Sequence, residues 1–138
     1  MPVIDPIASA VASGVVRVPD GCSPLPSSGL IEGHTVKIFR SKSFTGERAW
    51  AALDIANMNG ITTRLHWTDQ PYKWHVNDGQ EVFAVLDGRV EMHFKEDGVE
   101  QSTILETGDV FYASVGTAHV AHPLGVARIL VVESEGSV

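Results

Sequence analysis

The sequence predicts an all-β domain closed as a jelly-roll barrel, a double-stranded β-helix, and three observations carry that expectation. Turn signals recur at Asn59-Gly60, Asp78-Gly79, Asp87-Gly88, Asp97-Gly98, Thr107-Gly108 and Val115-Gly116, the rhythm of consecutive short antiparallel strands. The intervening segments, Ile61 to Trp67, Glu81 to Leu86, Val90 to Phe94, Val110 to Ala113 and Arg128 to Val132, are rich in the β-branched and aromatic residues that suit a pleated surface. The run Val82-Phe83-Ala84-Val85-Leu86 is apolar on both parities, so both faces of that strand are expected to be covered. With roughly eight or more such strands and no long helix, closure removes exposed edges and leaves a cavity open at one end.

Taken in order, residues 1–33 read as an N-terminal arm and residues 34–138 as the barrel domain. Asp5-Pro6, an Ala/Ser/Val run and Gly14 form a short helix signal: Asp caps, Pro suits the first position and Gly permits the exit. From Pro19 to Gly29 the prolines and Ser/Gly breakers predict irregular coil. The arm is expected to pack on the body or on a second subunit. The alanines between Arg48 and Asn57 suit a helix, but the segment runs into Asn59-Gly60 and a strand-like partner, so it is expected to be the first arm of a hairpin.

The chain has 138 residues, the size of a single domain, and 43% hydrophobic and 20% charged residues place it among ordinary globular proteins. Acidic residues outnumber basic ones, 17 to 10, for a formal charge of −7, which repels phosphate backbones and anionic lipid. Neither nucleic acid nor membrane is therefore an expected partner. Residues Ile7 to Val16 are mildly apolar but follow no Lys or Arg and are interrupted by Ser9, Ser13 and Gly14, poor material for a signal peptide. A single cysteine, Cys22, cannot close an internal disulfide and reads as an incidental thiol, compatible with a reducing, cytoplasmic location.

Six histidines are present, and most lone histidines are surface or hydrogen-bonded residues without a metal. The segment Trp74-His75-Val76-Asn77-Asp78-Gly79-Gln80-Glu81 differs from that background. His75 and Asn77, at i and i+2, project from one face of a strand, Asp78-Gly79 turns the chain, and Glu81 begins the returning strand toward the same space. A histidine from another strand would complete a site, and His119 follows a second Gly-rich approach, Gly108 through Gly116. Two neutral imidazoles and a carboxylate are donors suited to a divalent transition metal, and three ligands leave positions open for water, oxygen or substrate.

These residues resemble the two motifs of the cupin superfamily. The first, G-x5-H-x-H-x3,4-E-x6-G, is matched by His75-x-Asn77-x3-Glu81-x6-Gly88, and the second, G-x5-P-x-G-x2-H-x3-N, by Gly108-x5-Ser114-x-Gly116-x2-His119-x3-Pro123. The likeness is to small single-domain bacterial cupins, some named after sugar isomerases and described as RmlC-like, and with the flanking strands it covers about Val36 to Val132. It implies a divalent metal held by His75, Glu81 and His119, the ion being Fe, Mn, Zn or Ni. Asn77 stands where a further His is usual and would be a weak ligand or none, since an amide oxygen is a harder, weaker donor. Asp69, Ser114 and Pro123 also depart from the motif residues, and none of them removes a ligand.

Around these residues lie aromatic ones, most of them explained by packing. Phe83 shares parity with Glu81 and could line the cavity below the metal, while Tyr72 and Trp74 could form a lip on the approach to His75. Gly60 lies six residues before His66 and imitates the start of the first motif, but Thr68 takes the next ligand position, so His66 is expected to face away from the pocket or to flank it. Arg64 shares parity with His66 and is the nearby cation that could meet an anionic substrate, or else a surface residue. His122 is opposite in parity to His119, and His93 shares a polar face with Arg89 and Glu91.

Two functions are compatible with this reading. One is an enzyme of oxygenase or isomerase type acting on a small polar organic molecule at the metal. The other is a non-catalytic barrel that binds or senses a small ligand, with a degenerate or structural metal site. A small-molecule partner and a homodimer, formed through edge strands or the arm, are expected in either case.

Overall fold

A computed structural model describes residues 34–137 of the chain. The chain divides into two compact units, Met1–Phe44 and Thr45–Val138. In the first, the described part is irregular apart from one 3-10 turn, Ser41–Ser43. The expected helix ending at Gly14, the Pro-rich coil and Cys22 all lie outside the described residues. No helix among the described residues is long and apolar enough to cross a membrane.

The second unit is built from nine strands: β1 (Ala51–Met58), β2 (Ile61–Thr68), β3 (His75–Val76), β4 (Glu81–Asp87), β5 (Val90–Glu96), β6 (Val99–Leu105), β7 (Val110–Ala113), β8 (Ala118–Pro123) and β9 (Ala127–Ser134). They form two antiparallel sheets, one of order β1-β2-β9-β4-β7 and the other of order β3-β8-β5-β6. After β4 the chain crosses between sheets at nearly every connection, which makes the domain an all-β jelly roll. The Ala-containing segment is indeed the first arm of a hairpin, with β1 antiparallel to β2 from Ala51↔Trp67 to Met58↔Ile61. Asn59 (φ 58) and Gly60 (φ 88) make the turn, and the Gly60 N–H donates to Asn57 Oδ1 at 2.8 Å. Gly88 (φ 85) turns the chain from one sheet to the other; a Cβ there would collide with the Val126 carbonyl oxygen, so the position needs glycine twice over.

The inward faces meet in a core of Phe83, Val85, Val90, Met92, Leu105, Ala121, Ala127, Ile129 and Val131. Cross-strand partners supply it in pairs, Val85 with Ile129, Phe83 with Val131, and Met92 with Ala121. Each large aliphatic buried here contributes about 1.5–3 kcal/mol relative to exposure.

The expectation that both faces of β4 are covered holds only in part, since Ala84 and Leu86 are half-buried. Phe83 and Val85 are buried, but Val82 on the opposite face is 36% exposed. Apolar side chains are tolerated at surfaces, so two-parity hydrophobicity overstates burial. The polar segment Val-Glu-Gln-Ser-Thr-Ile-Leu also forms a strand, β6, paired along its length with β5 and exposed except at Leu105. Its position at a sheet edge explains why it lacks the expected composition.

Candidate metal centre

His75 and His119 are direct cross-strand partners on β3 and β8, which brings their rings to 4.3 Å between centroids. Glu81, the first residue of β4 in the other sheet, reaches across the interior and places Oε1 3.0 Å from His119 Nε2. One donor atom from each of the three lies within 4.8 Å of the others. His119 and Glu81 are buried and His75 is half-buried.

The hydrogen bonds around the imidazoles decide their tautomers. His75 Nδ1 is 3.0 Å from the Lys73 carbonyl oxygen and His119 Nδ1 is 3.2 Å from that of Thr117. A carbonyl only accepts, so each Nδ1 carries the proton and donates it to the residue two positions earlier. In the neutral rings this leaves the Nε2 lone pairs available, the orientation that backbone carbonyls impose on metal-binding histidines. His119 Nε2 and Glu81 Oε1 are then two acceptors in a buried contact, an arrangement that needs a shared proton or a cation between them. The donor set therefore fits a divalent metal. Burial lowers the His75 pKa, opposed by its bond to the Lys73 carbonyl, so the ring favours the neutral form that can ligate.

Asn77 is buried and bonded to the backbone of two loops. Its Nδ2 donates to the Ala113 and Ser114 carbonyls at 3.5 and 3.4 Å, and its own carbonyl accepts the Gly116 N–H at 3.0 Å. It joins the loop before Glu81 to the loop before His119, and it is not among the residues lining the cavity.

The three candidate ligands open onto a cavity of about 250 Å³. Phe83, Ala121 and Val131 form the side nearest the core, and Tyr72, His66 and Arg64 also line it. Trp74 does not: it is 42% exposed, with Lys95 Nζ 5.4 Å above its ring, on the outside of the four-stranded sheet. The aromatic wall is Trp50 instead. Its ring stands edge-on between His66 and Tyr72, at 5.8 and 5.2 Å, and its Nε1–H donates to the Gln70 carbonyl at 2.8 Å.

His66 faces this space from β2, with Nδ1 3.4 Å from the Trp50 carbonyl, and burial lowers its pKa. Its ring lies outside the group of converging ligand atoms. Arg64 donates from Nε to Asp54 Oδ1 at 2.9 Å, so it combines a cavity position with a surface ion pair. His93 packs on His122 at 4.6 Å between centroids, near Glu91 and Glu100, on the other face of β8 from His119. His34 is exposed in the first unit.

Glu133 escaped the sequence reading. It is the β9 partner of Glu81, and its pKa is raised to about 7, first by burial and then by the Glu81 charge, with Arg64 and His119 opposing. The signal was available: Glu133 has the parity of Ile129 and Val131, one step beyond the expected strand end at Val132. Arg48 and Trp50 were missed because the turn Arg48–Ala51 falls inside the expected hairpin arm, whereas β1 begins at Ala51.

No protein-family model matches the chain, and no curated protein matches it. Solved structures do. A cupin-2 domain protein from Shewanella frigidimarina is similar over 68% of this chain and 87% of its own, with 24% identity and a TM-score of 0.59. A cupin superfamily protein from Desulfitobacterium hafniense is similar over 67% and 85%, with 16% identity and a TM-score of 0.55. The Co(II) form of HppE in complex with substrate is similar over 63% of this chain and 54% of its own, with 16% identity and a TM-score of 0.54. The chain is a cupin-fold protein, and it carries a His75/Glu81/His119 group that could hold a metal ion.

Proposed function

We propose that the protein is a metal-dependent enzyme of oxygenase or isomerase type that acts on a small polar organic molecule, with the metal held by His75, Glu81 and His119. The observation that carries this reading is the pair of Nδ1-tethered imidazoles beside a buried carboxylate, with His119 Nε2 3.0 Å from Glu81 Oε1 and one donor atom of each residue within 4.8 Å of the others. A divalent ion bound there supplies Lewis acidity, or redox chemistry where the ion is iron. HppE, on the same fold, has been crystallised with Fe(II) and with Co(II), which is compatible with a transition metal in this barrel.

The chain's own residues provide the rest. Trp50, Tyr72 and Phe83 supply apolar walls that restrict water at the site. Glu133, with a pKa near neutrality, can hold or release a proton at its carboxylate beside Glu81. His66, kept neutral by burial and donating from Nδ1 to the Trp50 carbonyl, offers Nε2 as an acceptor. The partner is a small molecule, since the cavity is below the usual range of about 300–1,000 Å³ for drug-sized ligands.

An element scan of protein purified without added metal tests the reading, followed by oxygen-uptake and isomerase assays with small acids and sugars. The expected result is near-stoichiometric transition metal, lost in Glu81→Ala and His119→Ala, and metal-dependent turnover. Metal retained without turnover would favour the non-catalytic binder, and turnover by metal-free protein would overturn the mechanism.

A further inference from the structure

We infer that the ligand of this cavity carries a carboxylate and that Arg48 receives it at the mouth, with the ligand's other polar end toward His75, Glu81 and His119. This rests on the cavity being the substrate site proposed above.

Among the described residues two guanidinium groups line the cavity, and their situations differ. Arg64 already has a protein partner: its Nε donates to Asp54 at 2.9 Å in a surface ion pair, and its charge acts on Glu133. Arg48 lines the same cavity, yet its guanidinium has no hydrogen-bond acceptor or ion-pair partner among the described residues. A planar fork of donors left open beside an apolar wall is suited to a bidentate carboxylate.

The turn that presents Arg48 is tightly held. Its carbonyl accepts the Ala51 N–H at 3.2 Å, and Trp50 within the turn adopts φ 60, a left-handed conformation unusual for a bulky side chain. Such a conformation persists only where its surroundings over-determine it. Here the Trp50 indole is anchored on the Gln70 carbonyl, and at Gly46 a Cβ would sit 2.5 Å from that of Ala51, so the turn packs closely on β1. One constrained turn thus contributes both the aromatic wall and the open cation.

The acidic groups set the ligand's direction. Glu81 and Glu133 face the inner part of the cavity and repel a second carboxylate there. With Arg64 already bonded to Asp54, Arg48 is the one unpaired cation among the described residues lining the cavity, which selects a monoanion over a dianion such as phosphate.

The test is an NMR titration of the full chain with lactate, 2-hydroxybutyrate and mandelate, each against its neutral amide and against inorganic phosphate. It is run on chelator-treated protein and on protein loaded with Zn(II). At least one acid is expected to bind about tenfold more tightly than its amide in both states, and Arg48→Gln should reduce that preference to about twofold while leaving amide binding and Zn(II) stoichiometry unchanged. The inference is overturned if no acid is preferred in the wild type, if Arg48→Gln keeps the preference, or if phosphate binds more tightly than every acid. Failure of the metal proposal reads out separately, as absence of bound Zn(II), while the acid-to-amide ratio in chelator-treated protein still decides the role of Arg48.

Discussion

The two ends of the barrel are made by the same strands and differ by a single inward step. Along β4 the inward residues run Glu81, Phe83, Val85; along β9 they run Ile129, Val131, Glu133; and on β8 His119 is followed by Ala121. Val85, Ile129 and Met92 are fully buried in the apolar end, whereas Glu81, His119 and Glu133 gather ionisable groups at the other. The apolar end gains free energy by removing surface from water. The polar end gives some back, because charges and lone pairs are desolvated without complete pairing. The lesson is a division of labour within each strand: half of it stabilises, and the other half holds a site that folding alone would not favour.

Substitutions at the two ends should therefore act on different observables. Ile129→Ala opens a cavity in the apolar end and is expected to cost about 2–5 kcal/mol by denaturant unfolding, with little change in metal stoichiometry in the folded fraction. A loss below about 1 kcal/mol would show that this end is not the principal core. Glu81→Ala should behave in the opposite way, lowering metal affinity at least about 100-fold by equilibrium dialysis while chelated protein stays folded.

The third prediction concerns the pH dependence of the polar end. The Glu133 pKa rises from 4.5 to about 7 on folding, so the native state favours the protonated carboxyl. Its contribution is fully present below about pH 4.5 and is lost as pH rises toward and through 7. In chelated protein Glu133→Gln should then match wild type at pH 4 and be more stable at pH 8 by about 1–2 kcal/mol, a figure already reduced for solvent screening of a half-buried group. Equal stability at both values would show that Glu133 is freely solvated. The smallest effect is expected on the exposed face of β7: Val110→Thr, at a position 62% exposed, should change stability by less than about 0.5 kcal/mol. A larger loss would mean that this face is covered in solution.

Local pattern carried most of the architecture because its causes are local. Asn59-Gly60 and Asp97-Gly98 adopt positive φ at both positions, a conformation that those residue types tolerate and that joins twisted antiparallel strands. His75, Glu81 and His119 could be nominated for a similar reason, each lying at a set distance from a glycine turn. The polar edge strand β6 was less legible, since its pairing with β5 needs no apolar face. The exposure of Val82 shows the converse, that an apolar residue need not find cover.

Glu133, Trp50 and Arg48 belong to the cavity only because β9 inserts between β2 and β4, and because one turn before β1 folds its indole against His66 and Tyr72. Alternation and turn chemistry act over a few residues, so they are written along the chain and determine strands, their faces and the candidate ligands. Which strands become neighbours depends on long-range pairing and on burial summed over the whole domain. The convergence of Glu81 on His119, the burial and the neighbouring Glu81 charge that lift the Glu133 pKa, and the place of Arg48 on the cavity were therefore decided by tertiary structure alone.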